Sequence, residues 1–148
     1  WNRPELNKTL LDERGWFRTG DMVYYDEEGY YFVVDRVKDM FISGGENVYP
    51  REIEKVLEEH PKIAQVQVIG IPDPKWGEAI KAVVILKEGM EESEDLGQRI
   101  IDHCKGKIAG YKKPKSVDFV DTVPRNLAGK VLKKILREPF WKGYERKV

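Results

Sequence analysis

Two β-rich runs constrain this chain more than any other feature. IAQVQVIGI (63–71) and AIKAVVILK (79–87) are dense in Val, Ile and Ala, and only PDPKWGE separates them. Side chains branched at Cβ suit a pleated strand, and the partial alternation in the first run is that of a strand. PDPKWGE reads as a loop. Upstream, Pro50 can open a helix because its missing N–H is not needed at the first position. REIEKVLEEH follows, with Ile53, Val56 and Leu57 at helical spacing and Glu52 and Glu54 in the first turn, which the helix dipole favours. Downstream, EGMEESED is an acidic connection. Ser93 caps a helix predicted to run to about Ala109, with Leu96, Ile100, Ile101 and Cys104 or Ile108 on one face. SVDFV reads as a short strand, and VLKKILRE as a last helix stopped by Pro139. From Lys38 onward the order helix, strand, strand, helix, strand, helix predicts an α+β fold, with helices packed on a short sheet.

The first part of the chain reads differently. LNKTLLDERG has a short helical pattern ended by Gly15. DMVYYDEEGYYFVVDR reads as two strands around Asp26-Glu27-Glu28-Gly29, where Gly29 suits a left-handed turn position. DRVKDMFISGGENVYP breaks regularity at Gly44-Gly45. Residues 1–37 are therefore expected to be the hairpin edge of a larger upstream domain, and 38–148 a separate small one. The chain starts at Trp1 without an initiator Met, which reads as the interior of a longer protein.

Composition narrows the partners. The chain has 148 residues, about one ordinary domain, with 26 basic and 26 acidic residues. Zero net charge argues against a dedicated nucleic-acid binder. The balance is uneven, however: residues 105–148 hold 13 Lys/Arg and 4 Asp/Glu, against 13 and 22 in residues 1–104. A basic end after an acidic body is either a solvated helix or a surface for an anion such as a phosphate, a nucleotide or a phosphate-bearing thiol cofactor. The single cysteine, Cys104, rules out an intrachain disulfide and reads as a small half-buried filler. No run approaches the roughly 18 apolar residues of a membrane helix, no signal peptide is evident, and a cytoplasmic setting is the default.

Four stretches could carry chemistry. VPRNLAGKVLKK (123–134) holds Gly129-Lys130. A phosphate-binding P-loop needs Gly-x-x-x-x-Gly-Lys-[Ser/Thr]; here Val131 follows the lysine and Pro124 stands at the first glycine, so that reading fails. Lys130 is then either an ordinary surface lysine or a point charge presented on a flexible segment. ISGGEN is either a plain turn or a place where the backbone approaches another surface closely. In GWFRTGD, Asp21 is either a strand-end cap or an acceptor for a pair of hydroxyls. Arg36, in Asp35-Arg36, is either in a surface ion pair or a fork of donors. Trp76 and Gly77 read as a loop tryptophan capping the sheet, and Trp141 and Tyr144 as packing for the terminal helix. His60 and His103 lie on separate helices and carry no catalytic assignment.

Together and in order, GWFRTGD, GYYFVVDRVKDMFISGGENVYPREIE and VPRNLAGKVLKK resemble the adenylate-forming superfamily, which includes acyl-CoA synthetases, firefly luciferase and the adenylation domains of peptide synthetases. The resemblance covers essentially the whole chain. It implies the last edge of a large ATP- and acid-binding domain followed by the whole small domain that closes over it, with the hinge at Lys38. It implies that Asp21 holds the ribose hydroxyls of ATP or AMP, with Arg36 beside the same ribose. Lys130 matches the lysine that reaches the acid carboxylate and α-phosphate while the acid oxygen attacks phosphorus and pyrophosphate leaves. The small domain then rotates, and Gly44, Gly45, Glu46 and Asn47 match the segment lining the thiol's tunnel. Lys112 and Lys113 fall where the family can meet the phosphates of CoA. Asn47 departs from the Gln or Arg of other members, which puts its contact in question.

SGGENVYPREIE and REPFWKGYERKV look most like fatty-acyl and related acyl-CoA synthetases. The resemblance thus implies an ATP-dependent acid–CoA ligase acting on medium- or long-chain fatty acids, with ATP, Mg²⁺ and coenzyme A as cofactors. Mg²⁺ is expected mainly on the absent N-terminal domain. No metal ligand is assigned in this chain, and the chain alone is expected to be inactive. An adenylation domain, an aryl-CoA ligase and a non-catalytic interaction module remain the alternatives.

Overall fold

The computed structural model describes residue 2 and residues 4–144. Trp1, Arg3 and the last four residues of the basic end lie outside the described residues.

Helix α1 spans Pro4–Leu10, ending well before Gly15, which instead turns at φ 80° between the isolated bridge partners Leu11 and Phe17. Strands β1 (Asp21–Tyr25) and β2 (Tyr31–Arg36) form an antiparallel hairpin with Asp21 opposite Arg36. The predicted turn is where the strands meet, with Gly29 at φ 86° and Asp26 Oδ1 accepting the N–H groups of Glu28 and Tyr30 at 3.0 and 2.9 Å. Cross-strand rings stack along it, Tyr24 on Phe32 at 5.0 Å.

A 3-10 turn, Val37–Asp39, leads to the second sheet. The supposed irregular stretch around the two glycines is a tight hairpin. β3 (Phe41–Ser43) and β4 (Glu46–Val48) pair antiparallel around Gly44 and Gly45, at φ 61° and 87°. Helix α2 runs from Pro50 to Glu58, as the proline requires. β5 (Ile63–Asp73) and β6 (Gly77–Leu86) are longer than predicted and pair antiparallel over their length, so most of PDPKWGE belongs to strands. Helix α3 is Glu94–His103, with Ser93 Oγ accepting the Leu96 N–H at 3.1 Å. It ends short of Ala109, and Gly106 turns the chain away at φ 74°. β7 (Ser116–Phe119) pairs parallel with β6. Helix α4 is Lys133–Arg137 and stops just before Pro139, as expected, but the proline does not end all helical structure. It sits in the first turn of a following 3-10 helix, Glu138–Trp141, where no N–H is needed.

The fold is α+β, as expected. The core lies between the sheet and helices α2 and α3: Phe41, Ile53, Leu57, Val66, Val68, Ile80, Val84, Leu96, Ile100 and Cys104 are buried together. Burial raises the Cys104 thiol pKa, so it stays an unreactive filler. A second apolar cluster on Ile69, Val83 and Val123 seats Val131, Leu136 and Phe140. Trp141 packs as expected, donating Nε1–H to the Gly70 carbonyl at 3.1 Å, whereas Tyr144 is exposed. Among the described residues no helix is long and apolar enough to cross a membrane.

Candidate functional site

The structure brings Asp21 and Arg36 together. Their positions pair across the β1–β2 ladder, with Arg36 Nε 3.7 Å from Asp21 Oδ1 and both side chains partly open to solvent. A carboxylate and a guanidinium fork side by side can accept from hydroxyls and donate to a nearby oxygen. Lys38 is exposed in the 3-10 turn that joins the two sheets. Beyond it, Asp35 Oδ2 accepts the N–H of Arg51 in the first turn of α2 at 2.8 Å.

Gly44 and Gly45 are at the far end of the long ribbon. Gly44 N–H donates to the Trp76 carbonyl at 2.9 Å, and a Cβ on Gly44 would stand 2.6 Å from Trp76 Cε3. The Trp76 ring lies against the Gly44 turn and stays 37% exposed, and the Lys75 and Lys115 ammoniums stand 5.0 and 5.3 Å from it. Glu46 and Asn47 are exposed beside the turn. Lys113 is half-buried. Lys112 is engaged, donating to both oxygens of Glu52 at 2.8 and 2.6 Å. Burial opposes its charge, but the hydrogen bond to Glu52 and that carboxylate's negative charge outweigh it and raise the ammonium's pKa.

Lys130 is exposed on a hairpin that is not loose. Arg125 bridges Val131, Asn126 N–H donates to the Lys130 carbonyl at 2.9 Å, and Asn126 Oδ1 accepts the N–H groups of Ala128 and Lys130 at 3.1 and 2.9 Å. Gly129, at φ 77°, permits the turn. Arg125 donates to the Gly129 carbonyl at 2.7 Å and to Gln65 Oε1, near the start of β5, at 2.6 Å. Sequence reasoning missed Arg125 and Asn126, although an Asx side chain three residues before a glycine is a turn signal.

The lysine hairpin is thus anchored at Gln65 and the glycine turn at Asp73–Gly77, opposite ends of β5 roughly 26 Å apart along the strand. Missed as well was the contact of His60 with His103, whose ring centroids lie 5.1 Å apart edge to face. Among the described residues no group of three or more His, Cys, Asp or Glu side chains could hold a metal ion.

This is the fold of the C-terminal domain of adenylate-forming enzymes. MatB from Rhodopseudomonas palustris in its ATP-bound crystal structure superposes with a TM-score of 0.85 at 39% identity, over 98% of this chain and 28% of that one. The apo structure of the same protein gives 0.72 over the same shares at the same identity. Residues 52–130 match the AMP-binding enzyme C-terminal domain, more than half of the chain, and the chain belongs to that family. Long-chain-fatty-acid–CoA ligase FadD13 of Mycobacterium tuberculosis is 49% identical over 140 residues, covering 95% of this chain and 27% of the relative. A feruloyl-CoA synthase of Amycolatopsis is 46% identical over 95% of this chain and 28% of its own length. The chain therefore spans about a quarter of the length of these relatives.

Proposed function

We propose that this chain is the C-terminal part of an AMP-forming acid–CoA ligase, which joins a medium- or long-chain fatty acid to coenzyme A through an acyl-adenylate. In this reading residues 1–37 complete a large N-terminal domain and residues 38–148 are the mobile small domain, pivoting at Lys38. Asp21 accepts the ribose hydroxyls and Arg36 donates beside them. Lys130 carries its cation to the oxygens that gain charge as the acid attacks the α-phosphate, and one such positioned cation contributes about 3 kcal/mol. The Gly44–Gly45 turn, Glu46 and Asn47 then line the path of the incoming thiol. Lys112 and Lys113 meet its phosphates, with Lys112 exchanging Glu52 for one of them. Mg²⁺, which would neutralise polyphosphate charge, finds no ligand cluster among the described residues, and no step here depends on it. The setting is cytoplasmic.

The observation that carries the two-step reading is the separation of the lysine hairpin and the glycine turn to opposite ends of β5. One rigid sheet cannot present both ends to a single site at once, so a domain with two active ends must turn between steps. The difference between 0.85 and 0.72 against the ATP-bound and apo forms of one protein fits a chain made of two bodies with more than one arrangement. The fatty-acid branch rests on the FadD13 likeness, and the feruloyl-CoA synthase likeness favours an aryl acid as the second reading.

The test is an assay of the full-length protein with ATP, coenzyme A and a panel of acids. Release of AMP and pyrophosphate with dodecanoate or hexadecanoate supports the proposal, and turnover only with aryl acids selects the second reading. The chain by itself should turn over neither. A full-length protein that releases no AMP with any acid contradicts the enzyme reading.

A further inference from the structure

The segment after β7 is fastened along the outer edge of β5 at three points. Arg125 holds Gln65 Oε1 at 2.6 Å. Three strand positions on, Glu54 Oε1 accepts the Val68 N–H at 2.8 Å and pairs with Lys133 Nζ at 2.6 Å. Trp141 Nε1 donates to Gly70 O. The middle fastening is the buried one: Glu54 is 3% exposed and the Lys133 side chain 13%. Lys130 lies between the first two, and its own N–H and carbonyl are both bonded to Asn126.

From this we infer that Arg125 and Lys133 are positioning residues for Lys130, bracing its hairpin from both sides so that the ammonium arrives preset for adenylation. The inference rests on the reading of Lys130 given above. The physical reason is the length of the lysine stem. A cation on four rotatable carbons gains little as an electrostatic catalyst if its backbone also wanders, because the reorganisation would then be spent at the moment of reaction. Asn126 fixes the local turn but ties it to nothing beyond itself. Arg125 transmits the position of β5 to the carbonyl of Gly129, the residue just before Lys130. Lys133 transmits the position of α2 and β5 three residues after it. Arg125 does so as a fork, with two nitrogens on two acceptors, which an ammonium cannot reproduce.

The test uses the full-length protein, with pyrophosphate exchange (acid and ATP) and thioester formation (supplied acyl-adenylate and coenzyme A) measured separately. Arg125 is exposed, so Arg125→Met and Arg125→Lys leave the fold in place. Both should lower kcat for pyrophosphate exchange roughly 10- to 100-fold, the cost of about 1 Å of misplacement, with KM for ATP and acid little changed. Thioester formation and the melting temperature should hold. Lys133→Arg, which keeps a cation on Glu54, should retain most of the exchange rate that Lys133→Met loses. Unchanged exchange in Arg125→Met, or equal losses in both half-reactions with a lowered melting temperature, overturns the brace. Lys130→Ala run in parallel separates the two ideas: if it alone abolishes exchange the brace fails and the lysine reading stands, and if it leaves exchange intact the lysine reading fails first.

Discussion

The carboxylate of Asp35, on β2, accepts the backbone N–H of Arg51, in the first turn of α2, at 2.8 Å. Tyr49, the residue at the helix start, offers no side-chain cap, so Asp35, sixteen positions before Arg51, serves as one. This bond ties the N-terminal hairpin to helix α2 across the exposed Lys38 turn. Asp35→Ala is expected to cost about 1 kcal/mol, as loss of a helix cap does, and Asp35→Asn to recover most of it through its amide oxygen. Denaturant unfolding of the two variants checks this.

Gly44 is fixed by its neighbour. It has φ 61°, and a Cβ would enter the Trp76 ring at 2.6 Å. Gly44→Ala should destabilise by about 1–3 kcal/mol through the left-handed conformation and the clash together. Adding Trp76→Ala should remove the clash portion, so the double-mutant cycle should show a non-additive, compensating term. Strict additivity would mean the ring simply swings aside.

Lys81 is 7% exposed and pairs with Asp118 across the parallel β6–β7 ladder, with the Phe140 ring 5.1 Å away. Asp118→Ala strands a buried ammonium and should cost roughly 2 kcal/mol, less than for a fully enclosed pair because Asp118 keeps contact with water. Replacing both, Lys81→Met with Asp118→Ala, should recover most of the loss. Thermal unfolding of the three variants decides it.

His60 has a pKa lowered first by burial and then by the positive charges of His103, Lys62, Lys107 and Lys87. The unfolded chain therefore binds a proton here more readily than the native one. Stability is full above the ordinary histidine value of about 6.5 and declines as the pH falls below it toward the native value. His60→Gln should flatten that decline in unfolding curves taken from pH 7.5 to 5. An unaltered slope would assign the acid limb to other groups.

The long elements were legible in the sequence because their signals are local. Pro50 opens α2, Ser93 caps α3, and the Val- and Ile-rich runs are β5 and β6. The β3–β4 hairpin was not, since three-residue strands around two glycines leave no period to read. The end of α3 was overshot because Ile108 kept the apolar spacing while Gly106 turned the backbone. Pro139 marked the end of α4 correctly, but the 3-10 helix Glu138–Trp141 was not legible, because such a turn accepts proline in its first positions. The candidate residues themselves were legible as motifs, but their supports were not. Glu54 read as a first-turn dipole partner, and its bonds to Val68 and Lys133 lie 14 and 79 residues away in sequence.

In the proposed mechanism Lys130 serves adenylation and is withdrawn for the thiol step. The most direct test is Lys130→Ala in the full-length protein, with the two half-reactions assayed separately. Removal of the cation should cut pyrophosphate exchange about 100- to 1,000-fold while thioester formation from supplied acyl-adenylate survives. Survival of both half-reactions would contradict an adenylation role and return Lys130 to the ordinary surface lysines of a basic chain end.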